Sequence, residues 1–159
     1  RRQRLMCIRD RSTTLTLLIF LMILSGGLVA GTRAGIPFPT WPLMGDTFIP
    51  PQIYSMNPSW LSAFEDMATI QFNHRMFAYL LTISIVIFAI VLLRSNVPRF
   101  LKNGTTALLF VLSLQVVLGI STLLFYIPIP VAAAHQVGAI ALFSVSLFIT
   151  HGCLSRKQI

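Results

Sequence analysis

Residues 103–155 read NGTTALLFVLSLQVVLGISTLLFYIPIPVAAAHQVGAIALFSVSLFITHGCLS and contain no Asp, Glu, Lys or Arg. A helix that crosses a bilayer needs about 20 consecutive apolar residues. This stretch of 53 residues is therefore long enough for two such helices. The string YIPIP, residues 126–130, interrupts it with the rigid, donor-poor backbone of a tight connection. We predict two membrane spans here, over residues 105–126 and 131–152.

Two further charge-free runs lie upstream, at residues 12–32 and 76–93. They predict spans over residues 13–32 and 70–93. Hydrophobic residues make up 55% of the chain and charged residues only 10%, against about 25% charged residues in soluble domains. These values exclude a soluble globular protein. The predicted fold class is all-α, a polytopic membrane protein with a four-transmembrane-helix bundle over residues 12–155.

The formal net charge of +8 raises the question of nucleic-acid binding. The basic residues do not form one polar face that would follow phosphates, so we predict no nucleic-acid partner. Ten of the twelve flank the spans: Arg1, Arg2, Arg4, Arg9, Arg11, Arg94, Arg99, Lys102, Arg156 and Lys157. By the positive-inside rule, both termini and the basic tail at residues 156–159 face the cytoplasm or the mitochondrial matrix. The long loop at about residues 34–69 then lies outside.

The first eleven residues differ in character from the rest of the chain. They match no span, helix cap or secretory signal. Residues 6–11, MCIRDR, resemble a translated sequencing-adapter string. Residues 1–11 are therefore interpreted either as adapter read-through or as a genuine basic flank of the first span. In both cases we expect the chain to be truncated upstream.

Three glycines repeat every four residues near the outer end of the first span, at Gly27, Gly31 and Gly35. On a helix they form a smooth stripe that allows a close approach to the backbone. Packing of a neighbouring helix against this stripe is the interpretation that we prefer. The alternative is the approach of a flat cofactor.

Spans two and four each carry a histidine about one turn inside the outer end, His74 and His135. Both spans run in the same direction, and at ~1.5 Å rise per residue the two imidazoles lie at similar depth. A haem iron takes one axial ligand on each face, so the pair predicts a haem ligated by His74 and His135. The alternative is that each histidine only hydrogen-bonds to a neighbouring helix. We assign no metal role to His151, which has no partner at its depth.

Polar residues flank the two histidines at the outer surface. Gln71, Arg75 and Gln136 are predicted to lie beside the cofactor, and Arg75 has the geometry to pair with a haem propionate. The alternative for Arg75 is an interfacial side chain whose charged end reaches the lipid headgroups. Glu65 and Asp66 precede the second span, and we expect them to favour its helix N-terminus.

Five motifs, in order along the chain, carry a resemblance to a known family. They are GLVAGTRAG at 27–35, TWPLMG at 40–45, QFNHR at 71–75, QVVLGIST at 115–122 and AAHQ at 133–136. Together they resemble the haem A synthase family of bacterial and mitochondrial inner membranes, over about residues 14–152. Members of that family have eight spans in two similar four-helix halves. This chain is similar to the C-terminal half.

The resemblance implies a function and a cofactor. The family converts haem O to haem A by oxidising a ring methyl to a formyl group, for haem-copper terminal oxidases. His74 and His135 are similar to the pair that ligates haem b in the C-terminal half, and the protein is expected to be a multi-pass inner-membrane oxidoreductase. Haem O is expected in the N-terminal half, which this chain lacks, so catalytic residues are not assigned and this chain alone is expected to be inactive. The implied partners are the lipid bilayer, haem O, haem O synthase and an electron donor, and a homo-oligomer stays open.

Two other functions also stay open. A small b-type cytochrome that only transfers electrons would share the histidine pair. A non-redox membrane protein, in which both histidines merely join helices, would need no cofactor. Haem binding without haem O turnover in an intact protein would favour the first alternative, and a stable haem-free protein would favour the second.

Overall fold

Four long helices form the body of the protein in the computed structural model, which describes residues 2–155 and the side chains of residues 8–155. In chain order the elements are α1 (Arg2–Gly31), a 3-10 turn (Ser59–Leu61), α2 (Ser62–Glu65), α3 (Met67–Leu93), α4 (Arg99–Leu124) and α5 (Ile129–Leu154). The described residues contain no β-strand apart from one isolated bridge between Met44 and Thr47.

The four long helices are long and apolar enough to cross a membrane. The membrane-spanning parts are Ile8–Gly31, Met67–Leu93, Arg99–Leu124 and Ile129–Leu154. The predicted fold class, an all-helical membrane protein with four spans, is confirmed. The helices α3, α4 and α5 begin two to six residues before the predicted spans 70–93, 105–126 and 131–152, because polar and proline-containing first turns precede the apolar runs. The helix α1 begins at Arg2, eleven residues before the predicted span 13–32. The predicted tail at residues 156–159 lies outside the described residues.

The helices pack in a ring. The helix α1 contacts α3 and α5, and α4 contacts the same two helices. As a result, α3 and α5 occupy opposite corners of the bundle. Both run away from the long connection at residues 32–66, so their first turns lie at the same end of the molecule.

The packed core lies in the half of the bundle remote from the connection 32–66, which we call the lower half. Its fully buried apolar side chains include Ile19, Ile85, Leu92, Leu101, Leu108 and Ile149. A hydrogen bond of 2.9 Å between the buried hydroxyls of Thr16 and Thr150 also joins α1 to α5 there. Apolar packing and this polar contact hold the four helices together at one end of the bundle.

The other end, which we call the upper half, lacks such a core. No residue among 20–31 of α1, 113–124 of α4 or 129–141 of α5 is buried, and the same is true of residues 76–80 of α3. A well-packed protein interior leaves few voids larger than a water molecule. The upper half therefore leaves room between the helices that the described side chains do not fill.

The first turn of α3 is capped by an acidic side chain. The Asp66 carboxylate accepts a hydrogen bond of 2.9 Å from the backbone N–H of Thr69. A carboxylate at this position satisfies a free N–H group and interacts favourably with the helix dipole. The expected role of Asp66 at this helix N-terminus is confirmed, whereas Glu65 ends the preceding short helix α2 and is exposed.

Candidate functional site

The two predicted ligands lie in the upper half, on helices at opposite corners of the bundle. His74 is the eighth residue of α3 and His135 the seventh of α5. Both side chains are half-buried, and each lies within the first eight residues of its helix, at the end of the bundle nearest the connection. The structure thus brings the two histidines to the same level of the unfilled region.

His74 is held from the neighbouring helix α1. Its Nδ1 lies 3.1 Å from the hydroxyl oxygen of Ser25. The adjacent Gly26 faces the same ring, and a Cβ added there would lie 3.4 Å from Cε1 of His74, which is an ordinary contact distance. The ring is therefore oriented mainly by its polar contact with Ser25.

His135 is held from α4 in a similar way, with a different partner. Its Nδ1 lies 3.1 Å from the backbone carbonyl oxygen of Gln115, and the Gln115 side chain donates from Nε2 to the carbonyl oxygen of His135 at 2.8 Å. A Cβ added at Gly119 would lie only 2.9 Å from Cε1 of the ring. Gln115 and Gly119 together fix both the ring and the backbone of His135.

Both histidines therefore use Nδ1 for hydrogen bonding to protein, and neither Nε2 makes a hydrogen bond within the described part of the chain. A metal-binding histidine typically engages its second ring nitrogen in this way, which fixes the tautomer and the ring orientation. Two free Nε2 atoms beside an unfilled space fit a haem, whose iron takes one ligand on each face. The described residues contain no group of three or more His, Cys, Asp or Glu side chains that would suit a different kind of metal site.

Arg75 does not reach for the membrane surface. Its side chain is only 6% exposed, and its terminal nitrogens donate to three carbonyl oxygens of the connection 32–66: Leu43 at 3.1 Å, Phe38 at 3.0 Å and Thr40 at 2.8 Å. The interfacial alternative for Arg75 is therefore wrong. A charged guanidinium in a poorly hydrated place is stable only if its N–H groups find acceptors, and the folded connection supplies them.

Gln71 lies one turn before Arg75 and shares an acceptor with it. Its Nε2 donates to the Phe38 carbonyl at 3.1 Å, and the residue is only 2% exposed. Gln71 and Arg75 were expected at the outer surface, and both are instead buried beneath the connection. The reason is that residues 38–43 fold back over the first turns of α3.

Further along the connection, Tyr54 is tied to the same helix. Its backbone N–H donates to the Thr69 hydroxyl at 2.9 Å, and its phenol donates to Asn73 Oδ1 at 3.0 Å. Three residues of the motif QFNHR, Gln71, Asn73 and Arg75, therefore hydrogen-bond to the connection. His74 of the same motif hydrogen-bonds to α1.

Gln136, a predicted site residue, and His151, to which no metal role is assigned, both lie away from these contacts. Gln136 follows His135 but is exposed. His151 is exposed near the end of α5, and its Nε2 lies 3.4 Å from the Ser155 hydroxyl. The placement of His151 far from both other histidines is consistent with the absence of a metal role.

Three buried polar atoms near the site have no hydrogen-bond partner: Gln71 Oε1, Arg75 Nε and Gln115 Oε1. Buried polar groups in proteins are nearly always paired, so unpaired ones in a cluster call for an explanation. All three belong to residues that hold the His74 helix to the connection or His135 to α4. Gln115 Oε1 is packed against Gly138, and Gln71 Oε1 and Arg75 Nε lie beneath the connection.

The glycine stripe of α1 has two different environments. Nothing lies within 4 Å of a Cβ added at Gly27 or Gly31, so the packing interpretation is wrong for these two positions within the described residues. At Gly35, which follows the end of α1, the added atom would lie 3.0 Å from the side chain of Ile127 in the connection between α4 and α5, so the close neighbour there is a connection and not a helix. Gly138 of α5 makes room for Gln115, whose Oε1 would lie 2.3 Å from an added Cβ.

Sequence reasoning missed the supports of the two rings, Ser25, Gln115 and Gly119. A signal for them was present. Leu28–Thr32 of α1 and Leu118–Thr122 of α4 read as a weak repeat, and three residues before each segment stand Ser25 and Gln115. The repeat therefore places the partners of the two histidines at equivalent positions.

Gly119→Ala is expected to displace the His135 ring and to destabilise the protein by about 1–3 kcal/mol, the usual cost of overpacking. The new methyl would lie 2.9 Å from the ring, which cannot turn away without losing its contact with Gln115. Unfolding in denaturing detergent measures the change. Gly27→Ala is the matched control, since its methyl meets nothing within 4 Å. Equal losses in the two variants would show that the contact with His135 is not the cause.

The fold and the site define a class: a membrane-spanning four-helix bundle with a histidine pair suited to a haem in its loosely packed half. The chain belongs to the COX15-CtaA family of cytochrome oxidase assembly proteins, which matches residues 3–147. The resemblance to haem A synthases is thereby confirmed.

Individual relatives agree with the family. The heme A synthase of Nitrosospira multiformis is 44% identical over 88% of this chain and 39% of its own length. The heme A synthase COX15 of Bos taurus is 39% identical over 83% of this chain and 32% of its own, and that of Homo sapiens is 38% identical over the same shares. The chain thus spans about a third of the length of the curated relatives that it matches. No solved structure matches it.

Proposed function

We propose that this chain forms the C-terminal, haem b-binding four-helix half of a haem A synthase, with His74 and His135 as the axial ligands of the iron. One observation carries the proposal. Both rings are fixed through Nδ1, by Ser25 and by Gln115, and their Nε2 atoms, which make no hydrogen bond within the described residues, belong to the half of the bundle that lacks a packed core.

In the whole protein, the proposed reaction is the oxidation of a ring methyl of haem O to the formyl group of haem A. The bound haem b, when present, supplies one-electron transfer. The residues of this chain bind and orient that group. Packing in the lower half holds the helices while the two histidines and their supports set the ligand geometry in the upper half.

The flanking residues are proposed to bind the polar edge of the haem. The terminal nitrogens of Arg75 already donate to the connection, and Nε is the remaining donor that a propionate oxygen would meet. Gln71 precedes His74 by three residues and Gln136 follows His135 by one, so both lie at the upper end of the bundle. The folded connection over α3 would exclude water from this edge, which strengthens each polar contact.

The proposed orientation follows from the charges. The described basic residues at the lower ends of the helices are Arg9, Arg11, Arg94, Arg99 and Lys102. By the positive-inside rule this end faces the cytoplasm or the matrix, and the connection 32–66 with the haem edge faces the opposite side. In addition to the lipid bilayer, haem O synthase and an electron donor are the proposed partners.

Membership of the family argues against the two other functions. In a non-redox membrane protein the two histidines would only join helices. That role does not explain why both imidazoles are fixed through Nδ1 while Nε2 is left free. A small electron-transfer cytochrome accounts for the histidines, but it does not account for the similarity to heme A synthases along 83–88% of the chain.

A chimera tests this proposal. The part of the Nitrosospira multiformis relative that this chain matches is replaced by residues 12–155, and the chimera is produced in cells that make haem O and lack their own haem A synthase. We expect haem A in the extracted haems, detected by chromatography. The same chimera with His135→Ala should make none, and with His151→Ala it should be active.

The parent relative and the chimera are compared at equal amounts in the membrane. A chimera that binds haem b but makes no haem A, where the parent makes it, would contradict the assignment to this half of the enzyme. A chimera that makes haem A equally well with His135→Ala would contradict the role of the ligand.

A further inference from the structure

Ser25 is unusual among the serines of the long helices. Ser84, Ser113 and Ser144 each return their hydroxyl to the carbonyl four residues earlier in the same helix, at 2.8–2.9 Å. This local bond is the usual way for a helix to satisfy a hydroxyl group. Ser25 instead makes its hydrogen bond across the helix interface, to Nδ1 of His74. Its hydroxyl is therefore used for the imidazole and not for its own helix.

The two histidines have unequal partners. The Nδ1–H of His135 donates to a backbone carbonyl, a position that no side-chain substitution removes. In addition, the Gln115 side chain fastens the backbone of His135. His74 depends on a single hydroxyl. The orientation of one ring is thus built into the main chain, and that of the other depends on one small side chain.

We propose that Ser25 is a positioning residue for His74, and that its hydroxyl fixes the ring with Nε2 toward the iron and sets how strongly the imidazole donates to it. The inference rests on the proposed function. A neutral histidine that binds iron through Nε2 carries its proton on Nδ1, so the Ser25 oxygen is the acceptor. Such a bond increases the basicity of the ligand and holds its orientation.

The direction of the effect follows from charge. A more basic imidazole stabilises the ferric iron, which has one more positive charge than the ferrous iron. Loss of the acceptor at residue 25 weakens this preference and shifts the midpoint potential of the haem to more positive values. It also leaves the ring free to rotate, and haem retention is expected to fall on the order of tenfold, as for other supports of metal ligands.

The test uses the full chain produced with haem supply. Ser25→Ala removes the acceptor, and Ser25→Thr keeps a hydroxyl on the same carbon. Ser144→Ala is the matched control, because it removes an exposed helix serine whose hydroxyl binds only its own helix. The measurements are a redox titration of the b-type band, the electron paramagnetic resonance of the ferric state and the rate of haem loss to an acceptor protein.

We expect Ser25→Ala to keep a low-spin spectrum while its potential becomes more positive and its haem is lost faster, with Ser25→Thr and Ser144→Ala close to the unaltered chain. If Ser25→Ala does not accumulate, Ser25→Cys, which keeps the size but weakens the acceptor, carries the same expectation. A haem-loaded Ser25→Ala with unchanged potential and ferric signal overturns the inference and leaves the proposed function intact. An unaltered chain that binds no haem overturns the proposed function instead.

Discussion

His74→Ala and His135→Ala are each expected to abolish the low-spin, b-type spectrum of the purified chain, while the protein still inserts into the membrane. Each substitution removes one of the two axial nitrogens and leaves the lower-half core unchanged, because that core contains neither histidine. A single remaining imidazole cannot produce the low-spin state that two strong ligands give. Absorption spectra of the oxidised and reduced protein, with a quantification of bound haem, measure the outcome.

The control is His151→Ala on the same helix as His135. His151 is exposed, and within the described residues its side chain hydrogen-bonds to Ser155, so its loss should leave the spectrum unchanged. Helical circular dichroism and the detergent elution profile show whether each variant is folded. An unaltered spectrum in either His74→Ala or His135→Ala would exclude that residue as a ligand.

Arg75→Met is expected to release the connection 32–66 from α3. The substitution removes donors from the carbonyls of Phe38, Thr40 and Leu43, which the guanidinium now binds. Hydrogen bonds from a charged donor contribute about 1.5–3 kcal/mol each, and carbonyl groups that regain water recover part of that. A net loss of about 3 kcal/mol in the local opening free energy corresponds to hydrogen exchange on the order of 100-fold faster.

The backbone N–H groups of Met44 and Gly45 report this release. In the intact protein they donate to the Thr47 carbonyl and to the Thr40 hydroxyl, at 2.8 Å each. Arg33→Met is the matched control, since Arg33 is an exposed arginine near the same end of the bundle. Unchanged exchange at Met44 and Gly45 in Arg75→Met, or equal acceleration in the control, would contradict a specific role for the Arg75 contacts.

The positions of the four spans could be predicted from the sequence, because a membrane helix can be recognised by its length and apolarity alone. Charge-free runs at residues 12–32, 76–93 and 103–155 correspond to the four helices that are long and apolar enough to cross a membrane. Equal depth of the two histidines could also be read from the sequence, since the rise per residue of a helix is constant. These inferences need no knowledge of how the helices are rotated.

The contacts of the site depend on rotation and on non-local folding, and a single sequence does not provide them. The rotation of α1 in the bundle decides whether the Ser25 hydroxyl can hydrogen-bond to a residue of α3 or only to a carbonyl of its own helix. From the sequence, a haem propionate and the lipid headgroups are the possible partners of Arg75. The actual partners could not be predicted, because a proline-rich connection has no periodicity that indicates its path. The structure folds that connection onto α3, and the carbonyl of Phe38 becomes the shared acceptor of Gln71 and Arg75.

The most direct test of whether this chain binds haem through His74 and His135 is the reduced-minus-oxidised absorption spectrum of the unaltered protein. The protein is produced with haem supply and purified in mild detergent. A pyridine haemochrome assay on the same sample identifies and counts the haem. We predict one haem b per chain, low-spin in both oxidation states, as expected for two imidazole ligands. A helical, well-behaved protein that stays colourless, or one that binds haem only in a high-spin form, would contradict the assignment of His74 and His135 as a pair of iron ligands.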